Sequence, residues 1–375
     1  MIISGSSVHH PTPTRSPGGD SLAGPGDVQV DALQGWMLPH LQDPAVIDLQ
    51  PLLQKALLLQ TPERLLSSLV RRPPLAPEVL VAHRGGDRLL GLSVVRRLNR
   101  SGSCWGVEEL RLCRGALSEP GSPTARQVEG ALLREALHRC PGASSWITRV
   151  PTGHQDRLAL LREQGFQPLL QETLWYWEPG PVEAGSSLPA AVPPGDDLQL
   201  RHLNRRSAPL LWHLEQATCP AQLRQLLDRR IEDVLDQSEG RGLLWVDTSR
   251  QQAVAAVRRL RQHRLGPVEL EVTLHPGWSH LHGPALARLV RHQADGISPL
   301  RLRSDSGDHE REGWLSNLGA VAEGEDLLMA RSVWRRQESR VLSRQSWRLD
   351  TVLDSFKPRR RPVPTPLQRG VGSGR

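Results

Sequence analysis

Apolar residues recur every three or four positions in "QVEGALLREALHR" (127–139) and "PALARLVRHQ" (284–293), the period of a helix with one buried face. They alternate with polar residues in "GVEELRL" (106–112) and "VELEVTL" (268–274), the period of a half-buried strand. Between these lie strand-like runs that fold back as hairpins. "EVLVAHRGGDRLLGLSVVRRL" (78–98) turns at Gly85-Gly86, and "GLLWVDTSRQQAVAAVRRL" (242–260) turns near Ser249. Helical regions precede both hairpins, at about 45–72 and 206–236, with a start signal at Thr61-Pro62. Short strands "SSWITRV" (144–150) and "PLRLRS" (299–304) lead to a second helix and a last strand, "TLWYW" (173–177) or "LLMARSVW" (327–334).

The same grammar thus occurs twice, and the residues repeat with it. Residues 94–115 match 256–277 at a constant offset of 162, so Val95, Arg96, Arg97 and Leu98 fall on Val257, Arg258, Arg259 and Leu260. Glu109, Leu112 and Gly115 fall on Glu271, Leu274 and Gly277. Residues 61–72 match 219–230 at offset 158, while 131–137 and Gly165 match 285–291 and Gly319 at offset 154. Offsets that change only between elements indicate one fold copied in tandem, with loops of different length. The segment 179–197 is rich in proline and glycine and reads as a linker.

Composition changes this picture little. No run reaches the roughly 18–20 apolar residues of a membrane helix, and the leader 1–29 reads as disordered, without the pattern of a signal peptide. A cytoplasmic protein with no membrane partner is expected. Cys104, Cys113, Cys140 and Cys219 lack ligand spacing, so no metal is expected. The net charge of +7 belongs mostly to the tail 357–375, where Lys357, Arg359, Arg360, Arg361, Arg369 and Arg375 meet no acid. That tail is expected to be disordered, with weak nucleic-acid contact at most. A terminal helix is expected over 336–356. Trp146, Trp175 and Trp177 read as core, and Trp278 as a residue that either packs or lines a pocket.

The element order, with "LALLREQGF" (158–166) closing a helix on Gly-Phe and "LHPGW" (274–278) ending a strand, resembles the GNAT superfamily of N-acetyltransferases. The resemblance covers roughly 30–178 and 198–335 in a tandem arrangement with divergent motifs. It implies an α/β (α+β) fold: two GNAT-like domains, each a mixed, mostly antiparallel sheet flanked by helices. It also implies acetyl-CoA as co-substrate and a small-molecule or protein amine as acceptor. The family's cofactor loop, Arg/Gln-x-x-Gly-x-Gly/Ala, is matched by His280-x-x-Gly283-x-Ala285. Leu274, His280, Leu281, His282, Gly283 and Ala285 are therefore the expected coenzyme contacts, made through backbone N–H groups at a helix start. Aligned through Ala131, the first copy offers Arg126-x-x-Glu129-x-Ala131, with a carboxylate where glycine belongs. The second copy is the expected cofactor site and the first the degenerate one.

For chemistry, Glu271 on the central strand is the candidate base, with Glu269 on the same face. An ion pair with Arg258 or Arg259 is the alternative for either. The family's tyrosine acid falls on Leu161 and Leu315, and the one tyrosine, Tyr176, lies in a strand; the family's frequent asparagine falls on His154 and Asp308. Two readings follow: an acyl-CoA-dependent N-acyltransferase acting through its second copy, or a catalytically inactive GNAT-fold binding or scaffold protein.

Overall fold

A computed structural model of the chain describes residues 28–41, 43–58, 77–85, 88–140, 142–179, 197–238, 241–260, 266–294 and 299–333. Most of the leader, the match at 61–72, most of the linker, the terminal helix 336–356 and the tail 357–375 lie outside the described residues.

In chain order the first half runs β1 (Gln29–Ala32), α1 (50–58), β2 (Glu78–Arg84), β3 (Arg88–Arg97), β4 (Cys104–Leu112), the single turn α2 (Arg114–Leu117), α3 (Ala125–Arg139), β5 (Ser145–Pro151), α4 (Gln155–Glu163) and β6 (Gln167–Trp177). The second runs β7 (Leu198–His202), α5 (Ala208–Thr218), α6 (Ala221–Leu227), α7 (Ile231–Gln237), β8 (Gly242–Asp247), β9 (Gln252–Arg259), β10 (Val268–Leu274), α8 (Pro284–Gln293), β11 (Leu300–Asp305), α9 (His309–Asn317) and β12 (Val321–Ser332). Local chemistry recurs with the order. Helices α4 and α9 both stop at a left-handed glycine, Gly165 or Gly319. The next amide bonds back five residues, Phe166 to Leu161 and Ala320 to Leu315, both at 3.0–3.1 Å.

The sequence suggests two successive sheets, but the chain folds into one. Twelve strands line up as β1-β2-β3-β4-β5-β12-β6-β11-β10-β9-β8-β7. The last strand of each half crosses over. β12 pairs with β5 of the first half, and β6 pairs with β11 of the second. The two exchanged strands then pair antiparallel with each other at the centre. Read outward from that pair, both directions give the same order, so the duplication survives as a pseudo-twofold axis through the sheet. The physical reason is that β6 presents Trp175 and Trp177, which complete the apolar core beneath α8 and α9, while Met329 of β12 completes the core beneath α3 and α4. Trp146 belongs to that second core, so all three strand tryptophans are buried as expected.

Side-chain alternation puts α3, α4, α8 and α9 on one face of the sheet. The other face carries α1 in the first half, packed on Val79 and Val81, and α5 to α7 in the second. Helix α6 lies over the junction, its Leu227 packed with Cys104, Ile147 and Leu328 of the first half's sheet.

Candidate functional site

Among the described residues, the sheet's parallel neighbours separate part-way along their length. β4 and β5 pair from Cys104–Ser145 to Val107–Thr148, then diverge; β10 and β11 pair only at Val268–Leu300 and Glu269–Arg301. Strands that splay at their carboxyl ends open a crevice in which ligands collect. In the second half this crevice is a cleft of about 710 Å³. Its walls are β10, β11, α5, α6 and the loop Leu274–His282; the first half adds Ile147, Arg149 and Leu170 through β5 and β6, and the exchanged strand β12 adds Leu328. A second hollow of about 900 Å³ runs between α8 and α9, lined by His280, His282, Gly283, Arg288, His309 and Trp314. The two meet at Ser279, His282 and Glu310, which line both.

The entrance to α8 is built differently from that of α3. Thr124 caps α3 in a closed box: its hydroxyl accepts from Gln127 N, while Gln127 Oε1 accepts from Thr124 N at 2.8 Å. The cap of α8 is Gly283, which offers no side chain to accept from the first-turn amides. A Cβ added there would meet nothing within 4 Å. The first-turn amides of α8 therefore have no side-chain cap, and Gly283 and Pro284 at the helix start line the groove. Matching cap to cap also corrects the sequence alignment. Glu129 does not stand where Gly283 stands; it lies inside α3, buried, and its carboxylate accepts from Arg157 of α4 at 3.0 Å. Arg126 makes a second pair with Glu163, so α3 and α4 are clamped together by two ion pairs.

Charge in the cleft is arranged as a lattice. Glu271 and Glu269 share the cleft-facing side of β10, as expected, but each is engaged. Glu271 pairs with Arg258, which is 2% exposed and also reaches Glu215 at 2.9 Å. Burial opposes ionisation of Glu271, yet Arg258, Arg229 and Arg149 outweigh it and hold its carboxyl below the usual range. Glu269 accepts from Arg303 at 2.9 Å. At the pseudo-twofold axis Arg303 also binds Asp326 at 2.6 Å, and its repeat counterpart Arg149 binds Glu172 at 2.6 Å. Glu172 and Asp326 stand opposite each other in the central strand pair. This lattice, invisible to local sequence patterns, ties the exchanged strands to the cleft. In the first half Glu109 takes Arg111 at 3.0 Å.

Of the other expected contacts, Leu274 and Leu281 are buried core residues, Leu274 also edging the cleft. Ala285 packs on the core and Trp278 packs there too, its ring 5.3 Å from that of His280. Leu161 and Leu315 are both buried. Tyr176 bonds Glu178 at 2.5 Å on the surface, away from the cleft. His282, expected only as a coenzyme contact, is the residue sequence reasoning undervalued. It forms part of the wall between cleft and groove, its ring 5.5 Å from Trp314, and neither ring nitrogen has a hydrogen-bond partner. Burial, then Arg311, lowers its pKa and keeps it neutral. Among the described residues no group could hold a metal ion, and no helix is long and apolar enough to cross a membrane. Burial pushes the Cys104 thiol up to about 11 and those of Cys113 and Cys140 up to about 12, which leaves them un-ionised at neutral pH.

Solved structures share this architecture. A GCN5-related glucosamine N-acetyltransferase region in a fungal multi-domain β-N-acetylglucosaminidase superposes with a TM-score of 0.53 at 12% identity, over 83% of this chain and 39% of that one. The chain has the GNAT fold. A tandem GNAT protein from the clavulanic acid pathway matches at 15% identity over 82% of this chain and 98% of its own, with a TM-score of 0.47. A GCN5-related N-acetyltransferase from Sphaerobacter thermophilus matches at 11% identity over 81% and 95%, with a TM-score of 0.46. No family model matches the chain, and neither does any curated protein. In GNAT terms the second half keeps an open crevice and an uncapped helix, and the first keeps the strands but clamps the helices.

Proposed function

We propose that the second half binds an acyl-coenzyme A, acetyl-CoA being the simplest, and passes the acyl group to an amine in the cleft. The uncapped start of α8, opening on a groove that joins the cleft at His282, is the observation that carries this reading. A pyrophosphate suits free first-turn amides beside Gly283, with His280 and Arg288 lining the same groove. The acceptor then enters from the opposite side, over β10 and β11, where Glu269 and Glu271 present carboxylates. Because arginines hold both, these two serve as anchors that draw and orient an ammonium group rather than as the base. The acceptor wall includes Arg149 of the first half, so catalytic competence requires both halves.

Isothermal calorimetry with acetyl-CoA on the full chain tests the reading. One binding event per chain, lost in Gly283→Glu, is expected. Absence of binding at millimolar acetyl-CoA would leave the inactive-scaffold alternative.

A further inference from the structure

We propose that His282 carries the transferred proton, taking it from the attacking amine on the cleft side and delivering it to the departing sulfur on the groove side. This rests on the acyl-transfer reading above. Acyl transfer forms a C–N bond and breaks a C–S bond, so one proton must leave the nitrogen and one must reach the thiolate. The positions where the sequence suggests an acid hold buried leucines, Leu161 and Leu315. Glu271 and Glu269 are both paired with arginines. Of the other histidines near the junction, His275 already accepts from Gly277 N at 3.1 Å through its Nδ1.

His282 is placed differently. It is the one histidine that lines both cavities, and both its ring nitrogens are buried without a partner. The Ser279 backbone exerts only the smallest of the pulls that raise the ring's pKa, and it makes no hydrogen bond of ordinary geometry to either nitrogen. An imidazole with two unpaired nitrogens is costly in an empty site and satisfied in a filled one. Its plane is set by Trp314, whose indole N–H donates to the Gly283 carbonyl at 3.3 Å and ties α9 to the loop. Burial and Arg311 favour the neutral ring, while Asp308 and Glu310 of the same helix favour the proton. A ring balanced in this way can accept a proton and release it again. The sequence of events is balanced. The amine, having shed its ammonium proton to solvent, attacks the thioester carbon. One ring nitrogen of His282 takes the surplus proton from the amine, the C–S bond breaks, and the imidazolium gives the proton on its other nitrogen to sulfur, leaving the ring as the opposite tautomer until exchange with solvent resets it.

The test needs no acceptor. Free coenzyme A is bound to the full chain and its thiol titrated by thiolate absorbance, in wild type, His282→Gln and His282→Asn. If His282 faces the sulfur, it accepts the thiol proton, and the midpoint in wild type falls about one pH unit below that of free coenzyme A. In both variants it returns to the free value while calorimetric affinity changes less than about threefold. Desulfo-coenzyme A, lacking the sulfur, should leave the ring resonances of His282 titrating as in the free protein. A thiol midpoint equal in wild type and variants would overturn the shuttle, with coenzyme binding intact. So would variants that fold but no longer bind coenzyme A, which would make His282 a binding residue. Wild type failing to bind coenzyme A would instead sink the acyl-transfer reading itself, and the shuttle with it.

Discussion

Helices α3 and α4 hold the same place in the first half that α8 and α9 hold in the second, yet one pair is clamped and the other gapes. Arg126–Glu163 and Arg157–Glu129 bridge the first pair, and a Thr124–Gln127 box consumes its terminal amides. The second pair has glycine at the cap and a groove of about 900 Å³ between its helices. What separates the open helix pair from its clamped twin is thus a handful of side chains at one helix end, not the sheet beneath. The first half still contributes: Arg149, Ile147 and Leu170 help wall the cleft of the second.

The largest effect comes from breaking the strand exchange. Ending the chain before β12 removes the one strand that joins β5 to β6, so it should abolish the cooperative thermal transition of the whole described fold. A truncated chain that melts as sharply as the full one would show that the halves fold separately. Next is Arg258→Ala, which takes the shared arginine from Glu271 and Glu215 and leaves Glu215 only Arg229, at 3.5 Å. Removing one partner from a buried ion pair costs about 3–5 kcal/mol; because Glu271 is 40% exposed, the low end is expected in urea unfolding.

Gly283→Glu sharpens the comparison at little structural cost, since nothing lies within 4 Å of the new Cβ. A carboxylate about 4 Å from a phosphate charge costs about 4 kcal/mol at an effective dielectric near 20. Acetyl-CoA binding should vanish in calorimetry while the melting temperature barely moves. The converse change, Glu129→Gln with Thr124→Gly, loosens the clamp and, because Glu129 is buried, costs about 3 kcal/mol. It is expected to create a weak second coenzyme site at most. Full-strength binding there would mean that the clamp alone had closed the first half.

The smallest effect is a pH slope. His282 has a lowered pKa in the fold, so its neutral state suits the native protein above the unfolded value, and stability is lost as pH falls below it. Between pH 7 and 5 the melting temperature of wild type should fall slightly more than that of His282→Gln. Equal slopes would mean that the ring is not held neutral.

Much of this was legible in the sequence. Period and alternation located α3, α8, β4 and β10, and the offset of 162 placed Glu109 and Glu271 in repeat positions two residues past the last parallel pair. Strand exchange was not legible, because β6 and β12 have the same alternation whichever core they complete. Pairing is a long-range choice that local pattern does not encode. The alignment that put Glu129 opposite Gly283 failed because it matched helix interiors, whereas the cap depends on where the helix begins. His282 was read only as part of a loop motif, since the unpaired state of a ring nitrogen is a property of packing.

The exchanged strands also set a clock on synthesis. β6 emerges with neither lasting neighbour made, and β12 follows about 150 residues later. At about 5–20 residues per second the ribosome takes about 8–30 s to supply it. Throughout that time β5 presents an open hydrogen-bonding edge beside Trp146 and Ile147, the kind of edge that recruits another chain. A second nascent copy on the same messenger would offer the same strand sooner, so the fold carries within it a route to swapped dimers that only prompt completion of β12 closes.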